Sequence, residues 1–131
     1  MFAADNKTTA LVLLRVTLAT LLFIHGAARI SAGTVGGFGE FLGSNGVPLG
    51  FFVAWGITLF ELIGSVLLAV GFYASIIAMI FAVELAVGIG LVHWKQGWFV
   101  VGGGTGGMEY NVLLIAGFVA TAIANYRATN K

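Results

Sequence analysis

Arg15, Glu61 and Glu84 each stand inside a stretch of sequence that otherwise reads as facing hydrocarbon. An ionised side chain at membrane depth costs about 2.5–3.5 kcal/mol on insertion scales, so such residues turn toward a protein interior or a wet cavity and take partners there. One arginine and two glutamates within reach of one another would carry an uncompensated negative charge if all were ionised. The lower-energy state keeps a proton on one carboxyl. A proton-holding pocket serves both quinone chemistry and proton-coupled transport. The bland alternative is an ion pair between Arg15 and Glu61 that fixes helix register and does nothing else, with Glu84 protonated and hydrogen-bonded to a neighbouring helix.

The elements that must position these groups follow from composition. The 131 residues are 60% hydrophobic and 8% charged, with a mean hydropathy of +1.05, more apolar surface than one water-soluble core can hide. The chain reads as an all-α integral membrane protein, a four-helix bundle forming one domain over residues 1–131. A span needs about 20 apolar residues, and four stretches qualify: 9–30, 49–70, 73–92 and 110–126. On the first, steps of three and four residues align Arg15, Ala19, Leu22, Gly26 and Arg29 along one stripe, with His25 at its margin. On the second, Thr58, Glu61 and Ser65 share a face, with Gly64 beside them to allow close helix approach. Counting from span ends puts Glu61 and Glu84 near the midplane and Arg15 roughly 7 Å toward the cytoplasmic side, within the reach of an extended arginine.

The connections carry the remaining polar groups. Residues 31–48 are glycine-rich, and Phe38, Phe41 and Leu42 are spaced as on one face of a short interfacial helix. Gly71, Phe72 and Tyr73 form so short a link that the second and third spans must be antiparallel neighbours. The third connection holds His93, Trp98 and a glycine run ending at Gly107; no lysine follows that run in the place a phosphate loop requires. Lys7, Arg127 and Lys131 flank one side of the bundle and Arg29 and Lys95 the other, which places both termini in the cytoplasm by the positive-inside rule. Cysteine is absent, which removes thiol redox chemistry and thiolate metal sites. A net charge of +1 without a basic stripe excludes a nucleic-acid surface.

His25 and His93 fall near the outer ends of their spans. Two histidines on different helices can ligate one haem, whereas interfacial histidines more often hydrogen-bond to loop backbone, and no metal site is assigned. His93 lies on the opposite helix face from Glu84 unless Gly88 and Gly90 allow a bend. Glu109 opens the fourth helix, where the helix dipole favours a carboxylate. With Tyr110 beside it and His93 across the loop, it is also a candidate for an outer-face site.

Arg15, followed by His25, Gly26 and Arg29, then Gly46, Val47 and Pro48, Glu61 with Gly64, His93 with Gly97, Trp98 and Phe99, and finally Gly107, Met108, Glu109 and Tyr110, resemble in order and spacing the membrane proteins of the DoxX family. The likeness runs from about Leu11 to Tyr126. It implies a multi-pass protein of a bacterial or archaeal plasma (inner) membrane, related to the small DoxD-like subunit of thiosulfate:quinone oxidoreductases. The family's polar positions map onto Arg15, His25, Arg29, Glu61, His93, Glu109 and Tyr110; Glu84 stands outside that pattern. The expected function is a subunit of a quinone-linked oxidoreductase. Arg15 and Glu61 would polarise or protonate a quinone with Glu84 as proton reserve, while His25, Arg29 and His93, with Glu109 and Tyr110 nearby, would gather an anionic donor such as thiosulfate. No intrinsic cofactor is expected beyond that quinone, and the expected partners are the lipid bilayer, a redox subunit and further copies of the chain. The rivals are a proton-coupled permease for a small solute, motivated by the same carboxylates, and a structural or assembly anchor.

Overall fold

A computed structural model describes residues 2–100 and 106–129. Residues 101–105, most of the glycine run, lie outside the described residues, as do Lys131 and the side chain of Arg127 on which the orientation argument partly rests. The described residues form five α-helices and no strand: α1 (Phe2–Ser31), α2 (Val35–Ser44), α3 (Gly50–Val70), α4 (Ala74–Leu91) and α5 (Glu109–Thr129), with one turn of 3-10 helix at His93–Gln96. The helix α1 begins well before residue 9, since no glycine or proline interrupts the chain there.

Three of these helices are long and apolar enough to cross a membrane: Asp5–Ser31, Gly50–Val70 and Ala74–Leu91. The fourth expected span is also a continuous helix, but Glu109, Tyr110 and Asn111 open it and Asn125 and Tyr126 stand near its end, so its apolar stretch is shorter than the others. The outward faces of the long helices carry Leu13, Ile24, Ile63, Val66, Val83 and Val87, all exposed. A water-soluble protein does not display so many large apolar side chains on every face.

The helices pair as α1 with α3 and α4 with α5, and α2 lies on α3. Burial of Leu18, Leu22, Leu68, Phe81, Leu114 and Phe118 joins the two pairs around one core. Phe81 sits at its centre, its ring centroid 4.9 Å from that of Phe60 and 5.3 Å from that of Phe118. The short α3–α4 link does bring its helices side by side, with Gly71 in the left-handed region (φ 88°), yet their mutual packing is slight beside that of the α1–α3 and α4–α5 pairs.

Small residues set the height at which the helices meet. A methyl group on Gly26 would lie 3.1 Å from the Thr58 carbonyl oxygen and 3.2 Å from Glu61 Cβ, so glycine there lets α1 press directly on α3. A methyl on Gly39 would lie 2.9 Å from Phe51 Cα, and one on Gly50 would run into the Gly39 carbonyl, so α2 is seated backbone to backbone on the start of α3. That seat turns Phe38, Phe41 and Leu42 toward the interior between α1, α3 and α4.

Candidate functional site

Arg29 is the hub of the polar interior. Its Nη1 donates to Glu61 Oε2 at 2.8 Å and to Thr58 Oγ1 at 3.0 Å, and the Thr58 hydroxyl donates onward to the Ala54 carbonyl at 2.7 Å. The guanidinium carbon also lies 4.5 Å from the centroid of the Phe38 ring, a cation–π contact supplied by α2. Side-chain exposure is 16% for Arg29 and 4% for Glu61, so the pair is largely withdrawn from solvent and depends on mutual compensation.

Glu84, carried by α4, lines the same cavity as Arg29 and Glu61. With one guanidinium for two neighbouring carboxyl groups, the lower-energy state keeps a proton on one of them. One arginine and two glutamates sharing one proton leave the cluster electrically neutral, which is the condition for holding it in an apolar surrounding.

The cluster forms one wall of a cavity of about 210 Å³. Phe38, Phe41 and Leu42 close it from α2, Ile57 and Leu85 flank it, and Asn111 reaches it from α5. His25 and His93 line it as well. His25 Nδ1 is 3.2 Å from the Leu21 carbonyl and His93 Nδ1 is 2.7 Å from that of Gly106. A carbonyl accepts only, so in both rings Nδ1 carries the hydrogen and Nε2 is left as the acceptor when the ring is neutral. Backbone hydrogen bonding is thus the role these contacts give the two rings, and among the described residues no group of metal-ligating side chains gathers here or elsewhere.

Arg15 is absent from this cavity, which corrects the expected pairing with Glu61. Gly26 and Arg29, not Arg15, are the residues of α1 that meet Glu61, and the eleven-residue step from Arg15 to Gly26 spans about 16 Å of helix, beyond an arginine's reach. Arg15 instead donates to the Ala69 carbonyl at 3.3 Å and to Asn125 Oδ1 at 3.4 Å. It caps the last turn of α3, where unsatisfied carbonyls and the negative end of the helix dipole favour a cation. Arg29, expected to gather an anionic donor at the outer face, is committed to Glu61 instead. Glu109 and Tyr110 also stand outside the cavity wall. The Glu109 carboxylate accepts from the Val100 backbone N–H at 2.8 Å, and with Glu109 N–H bonded to the Trp98 carbonyl it ties the α4–α5 connection to the start of α5. Tyr110 is exposed.

Asn111 was the functional candidate hardest to see in the sequence. It reads as a polar flank of the last apolar run, yet it is 92% buried, its relative exposure being 8%. Its one sequence signal is its position one turn before Leu114, an inward residue of α5, and next in line to the Glu109 cap.

The DoxX family profile matches residues 10–94. CatD of Bacillus subtilis (strain 168), a protein provisionally named an oxidoreductase, is 32% identical over 117 residues, which cover 88% of this chain and 78% of CatD. No solved structure matches the chain. A family profile over more than half the sequence, a relative aligned along most of both chains and long apolar helices around a buried polar cluster make this chain a multi-pass membrane protein of the DoxX family.

Proposed function

We propose that the protein is a membrane subunit of a quinone-linked oxidoreductase and that the Arg29–Glu61–Glu84 cavity receives the quinone ring. The observation that carries this reading is a guanidinium and two carboxyls brought together on the wall of one aromatic-lined cavity. At about 210 Å³ the cavity is smaller than the roughly 300–1,000 Å³ of drug-sized sites and suits a single ring. The donor set fits a quinone: a guanidinium and an amide to hydrogen-bond carbonyl oxygens, and Phe38 and Phe41 to pack on a flat face.

A membrane quinone supplies the chemistry of accepting two electrons and two protons, the electrons coming here from a partner reductase subunit. Arg29 stabilises negative charge at a ring oxygen, and the Glu61–Glu84 pair delivers the proton it holds. His25 and His93 lie on the side from which that proton, and the second one, are replaced from water. In this reading α5 completes a four-helix membrane bundle, α2 lies at the outer interface, and both termini face the cytoplasm of a bacterial or archaeal plasma membrane, as the sequence count of Lys7, Arg127 and Lys131 against Arg29 and Lys95 favours. The CatD likeness to a protein named an oxidoreductase points the same way. A permease would need a route from the cavity to the Arg15 end, and Phe81, Phe118 and Leu68, each fully buried, fill that route.

The test is binding of a membrane quinone to the protein in lipid nanodiscs, read by quenching of tryptophan fluorescence, with infrared difference spectra recorded alongside. Saturable binding is expected, together with loss or shift of a protonated-carboxyl stretch when the quinone enters. Glu84→Gln should abolish that infrared signal and weaken binding about tenfold, the value of one charge-assisted hydrogen bond. Unchanged binding and an unchanged carboxyl signal in Glu84→Gln would remove the carboxyl pair from the site's chemistry.

A further inference from the structure

The cavity has a neighbour. Between α3 and α4 runs a groove of about 330 Å³ lined by Gly56, Ile57, Phe60, Ile80, Val83, Glu84 and Val87. Ile57, Glu84 and Val87 also line the polar cavity, so the two spaces adjoin and share these side chains. Ile80, Val83 and Val87 are exposed on the outer surface of a helix apolar enough to cross a membrane, which makes the far side of the groove hydrocarbon. The groove exists because α3 is held by α1 and α2 while α4 is held by α5, leaving the two consecutive helices little packed against each other. Gly56 widens it: a methyl group there would meet nothing within 4 Å.

We infer that this groove seats the hydrocarbon tail of a membrane quinone and is the lateral doorway through which its ring reaches Arg29 and Glu61. The inference rests on the proposed quinone site and adds the route and the tail-bearing substrate class. Its argument is the continuity at Glu84: of the residues lining the groove, that carboxyl alone is ionisable, and it lines both spaces. A tail gains little free energy from leaving one hydrocarbon environment for another. The groove therefore acts by geometry, giving the tail an exit while the ring is engaged. Blocking it should exclude a tailed quinone and spare one that has no tail.

Gly56→Phe fills the groove with an apolar ring at an exposed position, and Gly56→Ala leaves it open. The probes are one benzoquinone head carrying either a decyl chain or only a methyl group, each titrated by fluorescence quenching in nanodiscs of fixed lipid content. Both should bind the native protein and Gly56→Ala. In Gly56→Phe, the decyl compound should lose about tenfold or more in affinity while the methyl compound stays within about twofold. An unchanged thermal midpoint in Gly56→Phe establishes that the bundle is intact. If both probes bind that variant as they bind the native protein, the groove holds a phospholipid chain and the doorway is overturned while the ring site stands. Equal weakening of both also overturns it, since the substitution would then act on the ring site. If the native protein binds neither probe, the quinone reading itself fails and the doorway with it.

Discussion

Arg15 and Arg29 lie on the same stripe of the same helix, and the interior treats them differently. Arg29 meets a carboxylate, a hydroxyl and an aromatic face beside an open cavity. Arg15 meets a helix-end carbonyl and an amide, both at 3.3 Å or more, and its Nε is buried without a partner. A neutral partner set leaves the Arg15 charge to be stabilised by dipoles alone, whereas Arg29 is neutralised by an opposite charge with a second carboxyl on the same cavity wall. One end of the bundle is held by a cap; the other holds an ion pair and a second carboxyl beside a cavity. Charge at membrane depth is therefore no sufficient sign of a site, and what distinguishes the two ends is the company of a second ionisable side chain with space in front of it.

That contrast can be broken in three ways. Arg29→Leu leaves Glu61 buried without its counter-charge and should lower stability by about 3–5 kcal/mol, much of which Arg29→Leu with Glu61→Leu should recover. Reversible unfolding in mixed detergent micelles measures both, and a double variant as unstable as the sum of its parts would deny the coupling. Arg15→Gln should cost about 1 kcal/mol, the worth of a helix-end cation and one hydrogen bond, with quinone affinity unaltered. A loss as large as that of Arg29→Leu, or any change in quinone binding, would erase the distinction between the two ends. Phe38→Leu removes the ring under Arg29 and keeps the apolar volume, and a loss of about 0.5–1 kcal/mol is expected by the same unfolding assay. No loss at all would mean that α2 is held by its glycine seat without help from the guanidinium.

Much of this arrangement was legible from the residues. The stripe from Arg15 to Arg29, the inward Thr58–Glu61–Ser65 face and the short helix carrying Phe38, Phe41 and Leu42 all follow from helical periodicity, which is local. The partner of Glu61 was not legible. Depth estimated from span centres assumes that all helices share a midpoint, but the height of α1 against α3 is set by Gly26 on Thr58 and Glu61. Such a contact is visible only when both helices are in place. Asn111 escaped for a related reason, since a polar residue near a helix start looks the same whether it flanks the membrane or enters a cavity. Glu84 was legible as an inward residue because a carboxyl inside an apolar run turns away from hydrocarbon, even though the family resemblance leaves it out.

The aromatic column of Phe60, Phe81 and Phe118 carries a final consequence. It stands between the carboxyl pair and the Arg15 end, so under the proposed quinone chemistry hydrogen ions taken up at the pair would come from the face on which the two imidazoles sit. With electrons supplied from that same face, each cycle of such a complex would transfer no net charge between the compartments, and turnover would neither build nor feel a transmembrane voltage.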